Sequence, residues 1–240
     1  MKASKPVGYL RQAALALATS IAASMPAHGQ GGGVGGVPGY PDNIDAYDPR
    51  EVAMLPSYCK YTQLFRGRVP GGNDQAEIDR WYSIAGDTFH ALHHYCWGLM
   101  KTNRAIFLTR TRKYRLFYLE DSILEFEYVL RYTPENHVLL PEILTKKGEN
   151  LIRLDRASLG LRDLTRAIEL KPDYWPPYVV MSDHYKATGD IKKAREVLEK
   201  ALSFSPDAKG LKMRLTELDA VKDSRMTATQ SAKPQQPVKP

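Results

Sequence analysis

The sequence predicts an all-α protein: helical hairpins stacked as an α-solenoid, closed at the carboxyl end by one capping helix. Three observations predict it. The first is Tyr174–Pro206, which reads as two short amphipathic helices around a Gly189-Asp190 turn. Tyr178, Met181, Ser182 and Tyr185 share one face of the first helix; Ala194, Leu198, Ala201 and Leu202 share one face of the second, at i, i+4, i+7, i+8. The small residues Ser182, Ala194 and Ala201 let helix axes approach to roughly 8–10 Å. Pro206 ends the second helix because proline lacks the N–H and clashes with the preceding turn. The second observation is an upstream copy. A shift of about 34 residues pairs Pro206 with Pro172, Ala201 with Ala167, Leu198 with Leu164, Ala194 with Gly160, Tyr185 with Leu151, Ser182 with Gly148 and Tyr178 with Leu144. The third is Asp207–Val221, with Leu211, Leu215, Leu218 and Val221 on one side. A stacked array needs such a helix, because its last hairpin otherwise exposes an apolar face.

Residues 1–29 read as a secretory signal. Lys2, Lys5 and Arg11 form a basic front, Ala13–Ala23 an alanine-rich apolar run, and Ala27-His28-Gly29 a small-x-small cleavage site. Cleavage after Ala27 and after Gly29 both remain open. The run is shorter than the roughly 20 residues a spanning helix needs, and no cysteine near it offers a lipid anchor. The signal is of bacterial type, so the expected compartment is the periplasm, with a retained anchor as the alternative. Removing the three basic residues takes the net charge of +7 down to about +4. That balance suits an acidic partner, an anionic polymer or a membrane surface without requiring any of them. Residues 30–47 are a Gly/Pro-rich linker that cannot pack.

Residues 48–134 form an N-terminal helical segment, expected as a divergent hairpin. Asp48 before Pro49, with Glu51 in the first turn, starts a short helix that Pro56 stops. Arg66–Asn73 is a loop, and Asp74 with Glu77 forms a capping box for a helix through Ile78, Trp81 and Tyr82. Gly86–Leu108 is expected as one long helix with Phe89, Leu92, Cys96, Leu99 and Met100 inward. Its antiparallel partner is Tyr114–Tyr132, with Leu119, Ile123, Phe126, Val129 and Leu130 inward, closed by Pro134. Residues 135–223 carry the two repeats and the cap, with an insertion at Glu135–Leu140. The upstream repeat departs from its copy where Lys147 stands for Met181 and Asp155 for Gly189. Residues 224–240 are polar and aperiodic, and are expected to be disordered.

Few residues suggest chemistry. Cys59 and Cys96 are the only cysteines, and in an oxidising compartment they pair most simply as a disulfide. A free thiol pair or a metal site are the alternatives. His90 and His94 stand at i, i+4, which on a helix presents two metal ligands on one face. No third ligand is evident, and the competing reading has His93, Tyr95 and Trp97 packing the N-terminal arm with His90 near the surface. Arg110, Arg112, Lys113 and Arg115, with Lys101 and Arg104 nearby, form a basic stretch interleaved with Phe107, Tyr114, Phe117 and Tyr118. It reads either as an anion-binding site or as a solvated face with buried aromatics. Asp155, Asp163 and Glu169 are expected as surface charges. The sequence carries no nucleotide loop, no nucleophile elbow and no paired-carboxylate motif, so no enzyme and no cofactor are expected.

The repeat resembles the tetratricopeptide repeat (TPR), whose pattern is W-x2-L-G-x2-Y followed by A, F and P. Here Tyr178 replaces the Trp, Met181 the Leu, Ser182 the Gly and Leu198 the Phe. The chain is similar to an exported bacterial member of that family. The resemblance implies a right-handed superhelix in which the first helix of each repeat lines a concave groove for a partner peptide or helix. Carried onto this chain, the groove is Thr145, Glu149, Ile152 and Arg153, then Val179, Asp183 and Lys186. The carboxylate-gripping subclass has asparagine where this chain has Glu149 and Asp183, so that property does not carry over.

The expected function is therefore a non-catalytic scaffold or adaptor of the bacterial cell envelope. Its expected partner is a protein or peptide of a secretion, pilus, polysaccharide or wall-assembly system, with an anionic polymer as a further candidate. No nucleic acid and no membrane span in the mature chain are expected. The rival reading is a metal-binding or redox envelope protein centred on His90, His94 and Cys96.

Overall fold

Antiparallel helix pairs carry the chain from its middle to its carboxyl end. The computed structural model describes residues 47–231, with no strand among them. Its helices are α1 (Pro49–Ala53), α2 (Gln75–Ala85), α3 (Leu92–Asn103), α4 (Arg112–Leu130), α5 (Leu140–Arg153), α6 (Ala157–Leu170), α7 (Pro176–Ala187), α8 (Ile191–Phe204) and α9 (Lys209–Ser231). Short 3₁₀ segments span Ser57–Tyr61 and Gly86–Ala91, and a π-helical turn spans Arg104–Leu108. The hairpins are α3–α4, α5–α6 and α7–α8, with α9 on α8. The joints are α4 on α5 and α6 on α7, and the first helices α3, α5 and α7 also touch in sequence. This is the stacked, all-α, TPR-like arrangement that the periodicity predicts.

Local chemistry sets the boundaries. Asp48 accepts from the Arg50 N–H ahead of α1, and Asp74 accepts from the Ala76 and Glu77 N–H groups ahead of α2. Asp190 does the same for Lys193 at 3.1 Å, filling one of the donors a helix start leaves unpaired. Gly189 makes the α7–α8 turn at φ +88°, and Asp155 makes the α5–α6 turn at φ +60°. The two turns therefore share a left-handed residue, glycine in one and a tolerated aspartate in the other.

Small residues bring the hairpin helices together. A Cβ on Gly160 would meet the Gly148 carbonyl oxygen at 2.5 Å, and one on Gly148 would meet the Gly160 oxygen at 2.8 Å. At the matching place in the next hairpin, Ser182 Oγ donates to the Ala194 carbonyl at 3.0 Å. Leu164, Ala167, Leu198 and Ala201 close the seams and are buried. Tyr178 is buried too, and its hydroxyl donates to the Pro172 carbonyl at 3.0 Å, tying one repeat to the end of the other. Lys147 reaches Asp163 at 3.2 Å and Glu127 at 3.5 Å, so an ion-pair bridge across α4, α5 and α6 stands where the copy has Met181. Asp163 is accordingly 6% exposed, which corrects its reading as a surface charge; Asp155 and Glu169 are exposed.

Other expectations change. Gly86–Leu108 is not one α-helix. Thr88 Oγ1 donates to the Tyr132 carbonyl at 2.8 Å and holds the first six residues in the tighter coil. At the other end, Arg104 is buried against Glu51 while Ile106, Phe107 and Leu108 face outward, and the wider turn accommodates both demands. The backbone of α9 runs past Ser224 to Ser231, because no proline or glycine interrupts it after Gly210. The signal segment, the linker up to residue 46, the Val221 side chain and residues 232–240 lie outside the described residues. In the Glu135–Leu140 connection, His137 Nε2 meets the Ala85 carbonyl at 2.9 Å and anchors the joint.

Gly160→Ala is expected to lower unfolding stability by about 2 kcal/mol, because backbone must move to admit a methyl group. Gly210→Ala, which has nothing within 4 Å of the new atom, is the control and is expected to stay within about 0.5 kcal/mol of the parent. Urea titration followed by circular dichroism checks both.

Candidate functional site

The row of first helices gathers a set of polar side chains. Tyr95 on α3 is fully buried, and its hydroxyl donates to Glu142 Oε1 on α5 at 2.6 Å. Burial pushes the Tyr95 phenol well up, and the neighbouring Tyr58 and Glu142 add to it. Burial also raises Tyr58 and Tyr174, and Glu142 contributes to both. The Tyr95–Glu142 bond joins α3 to α5, and the Tyr58 and Tyr174 phenols, from the N-terminal arm and from the segment before α7, lie near enough to feel the Glu142 charge. The sequence reading missed Glu142 and Tyr174. The spacing of Glu142 and Glu149, seven residues apart on α5, is the signal that marks their common face.

The predicted groove residues separate into two groups. Thr145 and Val179 are buried, at 2% and 8% exposure, and Thr145 Oγ1 donates to the Pro141 carbonyl at 2.6 Å. Ile152 turns toward α6, where its side chain limits the space beside Gly160. Glu149, Arg153, Asp183 and Lys186 remain reachable. Arg153 donates to Glu149 at 2.6 Å and to Asn150 Oδ1 at 3.0 Å. Asp183 accepts from Arg214 of α9 at 2.5 Å, so the capping helix extends the same surface. Below it, buried Asn150 donates to Thr102 Oγ1 at 2.6 Å and Ser122 Oγ at 2.8 Å, fixing α5 against α3 and α4.

Cys59 and Cys96 form a disulfide with a Cα–Cα distance of 5.7 Å, and neither is exposed. The bond fastens the 3₁₀ segment Ser57–Tyr61 to α3. Trp97 supports the same arm by donating to the Tyr47 hydroxyl at 2.8 Å. His90 lies in the 3₁₀ segment Gly86–Ala91 and His94 in α3, so the predicted i, i+4 pair is not carried by one continuous α-helix. His90 is exposed beside Tyr82 and the edge of a cavity of about 280 Å³ that Arg66, Asp79 and Phe89 also line. His94 Nδ1 lies 2.5 Å from Glu125 Oε2, and its ring stacks on Tyr128 at 3.7 Å. Glu125 also accepts from Lys101, which pairs with Asp121 at 2.7 Å. Among the described residues, no three or more His, Cys, Asp or Glu side chains are placed to hold a metal ion.

The basic stretch also divides. Lys101 and Arg104 point inward into ion pairs with Glu125 and Glu51. Arg110, Arg112, Lys113 and Arg115 are exposed. Of the interleaved aromatics, Tyr118 is buried, Tyr114 half-buried, and Phe107 and Phe117 exposed. No described helix is long and apolar enough to cross a membrane.

Two curated proteins match part of this chain in sequence. The chain is similar to the Hsp70-Hsp90 organizing protein of Triticum aestivum, 30% identical over 98 residues, which are 41% of this chain and 16% of that protein. It is also similar to the Protein STIP1 homolog of Dictyostelium discoideum, 27% identical over 109 residues, 45% of this chain and 18% of that protein. The chain thus spans less than a fifth of the length of the curated relatives it matches. No family model matches it.

Two outcomes follow from the arm and the histidines. Replacing Cys59 and Cys96 together by alanine is expected to cost about 4 kcal/mol of stability in the chain-entropy account, read by urea titration against the oxidised parent. His93 is buried, and burial followed by repulsion from His94 lowers it from 6.5 to about 4, with Glu125 partly opposing. The unfolded chain therefore takes up a proton that the folded chain refuses, so stability falls as pH drops from about 6.5 through 4. His93→Gln is expected to flatten that part of the melting-temperature profile.

Proposed function

We propose that this chain is a TPR protein acting as a non-catalytic adaptor of the bacterial cell envelope. A partner segment lies along the exposed side of α5, α7 and α9. The observation that carries the reading is the alignment of these helices. The first helices α5 and α7 touch, Glu149, Arg153, Asp183 and Lys186 are accessible on them, and Asp183 pairs with Arg214 of α9. The mixed charges suit a partner segment that is itself mixed in charge, because each groove ion pair can be exchanged for one across the interface. The resemblance to relatives, one of which is named for organizing Hsp70 and Hsp90, supports protein binding as the mode of action. The signal-like amino end and the Cys59–Cys96 bond both support a periplasmic setting, since disulfides persist in oxidising compartments. The metal or redox reading is not carried further: Cys96 is bonded and His94 is held by Glu125.

Photocrosslinkers placed at Glu149 and Lys186 in intact cells test the groove. A discrete adduct from both positions, absent from Glu199 on the outer side of α8, is expected. Arg153→Glu with Lys186→Glu is expected to weaken that adduct by roughly tenfold. Equal adducts from Glu199 would place the partner elsewhere. Release of the protein by osmotic shock, rather than with the cytoplasmic fraction, is the expected test of the compartment.

A further inference from the structure

The connection between α3 and α4 presents a patch that the groove reading does not use. Ile106, Phe107 and Leu108 are consecutive and 39%, 67% and 57% exposed, and Phe117 on the second turn of α4 is 40% exposed. Single exposed apolar residues are ordinary on a protein surface, but a contiguous apolar tip marks an interaction surface. The π-helical turn that carries the triplet packs on α3 and α4. Its inward side is filled by Arg104 and Ala105, so the three apolar side chains have no place in the core.

Around the tip stand Arg110, Arg112, Lys113 and Arg115, all exposed. Among the described residues none of the four has a carboxylate partner. The nearest acids along α4 are already engaged, Glu120 by Arg156 and Asp121 by Lys101. The first turn of α4 contains no acidic residue. Cations at this end of a helix face its positive pole, so they do not serve the fold. The inward pairing of Lys101 and Arg104 shows that the same stretch neutralises its charges where the fold requires it.

We propose that the α3–α4 tip docks on an anionic phospholipid bilayer. The apolar triplet and Phe117 enter the interface, and the four cations lie among the headgroup phosphates. A soluble polyanion would engage the cations but leave Phe107 and Leu108 in water. A bilayer surface takes both, because its interface offers charge and acyl chains within one side-chain length. The tip is a turn and not a long amphipathic face, so the attachment is shallow and reversible. It uses no groove residue, so it stands or falls separately from the adaptor reading.

The test uses the full chain and vesicles of phosphatidylglycerol and phosphatidylcholine, with phosphatidylcholine alone as the neutral surface. Parent and variants share the same amino-terminal segment, so differences between them report the tip. Arg112→Gln with Arg115→Gln is expected to lower partitioning onto anionic vesicles by roughly twenty-fivefold, about fivefold per cation. Phe107→Ser with Leu108→Ser is expected to lower it by about tenfold or more. All four positions are exposed, and circular dichroism should show the fold retained. In Phe107→Trp, the added emission is expected to shift to the blue on anionic vesicles and to be quenched by brominated acyl chains. Variants that bind like the parent would overturn the proposal. So would added emission that stays unshifted while polyglutamate competes for the site, an outcome that assigns the tip to a soluble polyanion.

Discussion

The stack depends on how closely the two helices of each hairpin can approach. In α5–α6 the contact is backbone to backbone, Gly148 against Gly160; in α7–α8 it is Ser182 against the Ala194 carbonyl. Side chains of ordinary size at these positions would push the helices apart and separate Ala167 from Leu144 and Leu198 from Tyr178. Dispersion falls steeply with separation, so the seams would lose the contacts that bury them. The second helix of each hairpin can meet the next only when both seams are closed. The order of the first helices follows from this steric condition.

The N-terminal arm is attached by a different chemistry. It has too little regular structure to bury itself, and it is held to α3 by the disulfide, by the Trp97–Tyr47 hydrogen bond and by the Glu51–Arg104 ion pair. Each of these links lies 37 or more residues apart in sequence. Both charges of the ion pair are buried, and Arg104 Nη2 donates to Glu51 Oε2 at 2.7 Å. Such a pair adds little net stability but makes any other position of the arm costly, because one lone charge would stay buried. The same pair directs the chain through the π-helical turn and so decides which way the apolar triplet of the tip faces. Attachment of the arm and presentation of the tip are thus one structural decision.

The candidate sites differed in how far they could be read. Glu149, Asp183 and Lys186 came from the TPR resemblance, which implies a groove along the first helix of each repeat. Thr145 and Val179 lie on those same first helices, yet neighbouring elements cover them, and periodicity within one helix carries no information about what lies across from it. The His90–His94 spacing assumes one continuous α-helix, whereas a 3₁₀ segment runs to Ala91 before α3 begins. The nearness of Tyr58, Tyr95 and Tyr174 to Glu142 joins four segments and has no local signature at all.

By itself the sequence determined the helical class, the spacing of the two proline-ended hairpins, and their glycine, serine and alanine seams; it offered the Cys59–Cys96 bond as the simplest of three readings, and the structure forms it. Each of the first three is a matter of short-range geometry. Tertiary structure alone decided which charges became internal. Lys147 with Asp163, Lys101 with Glu125, and Arg104 with Glu51 are paired across helices, while Arg110, Arg112, Lys113 and Arg115 stay in solvent. A charged residue in a helix reads the same in sequence whether it meets water or an opposite charge. Only the packing of the neighbouring helix supplies the difference, because desolvation and pairing both depend on what stands within a few ångströms.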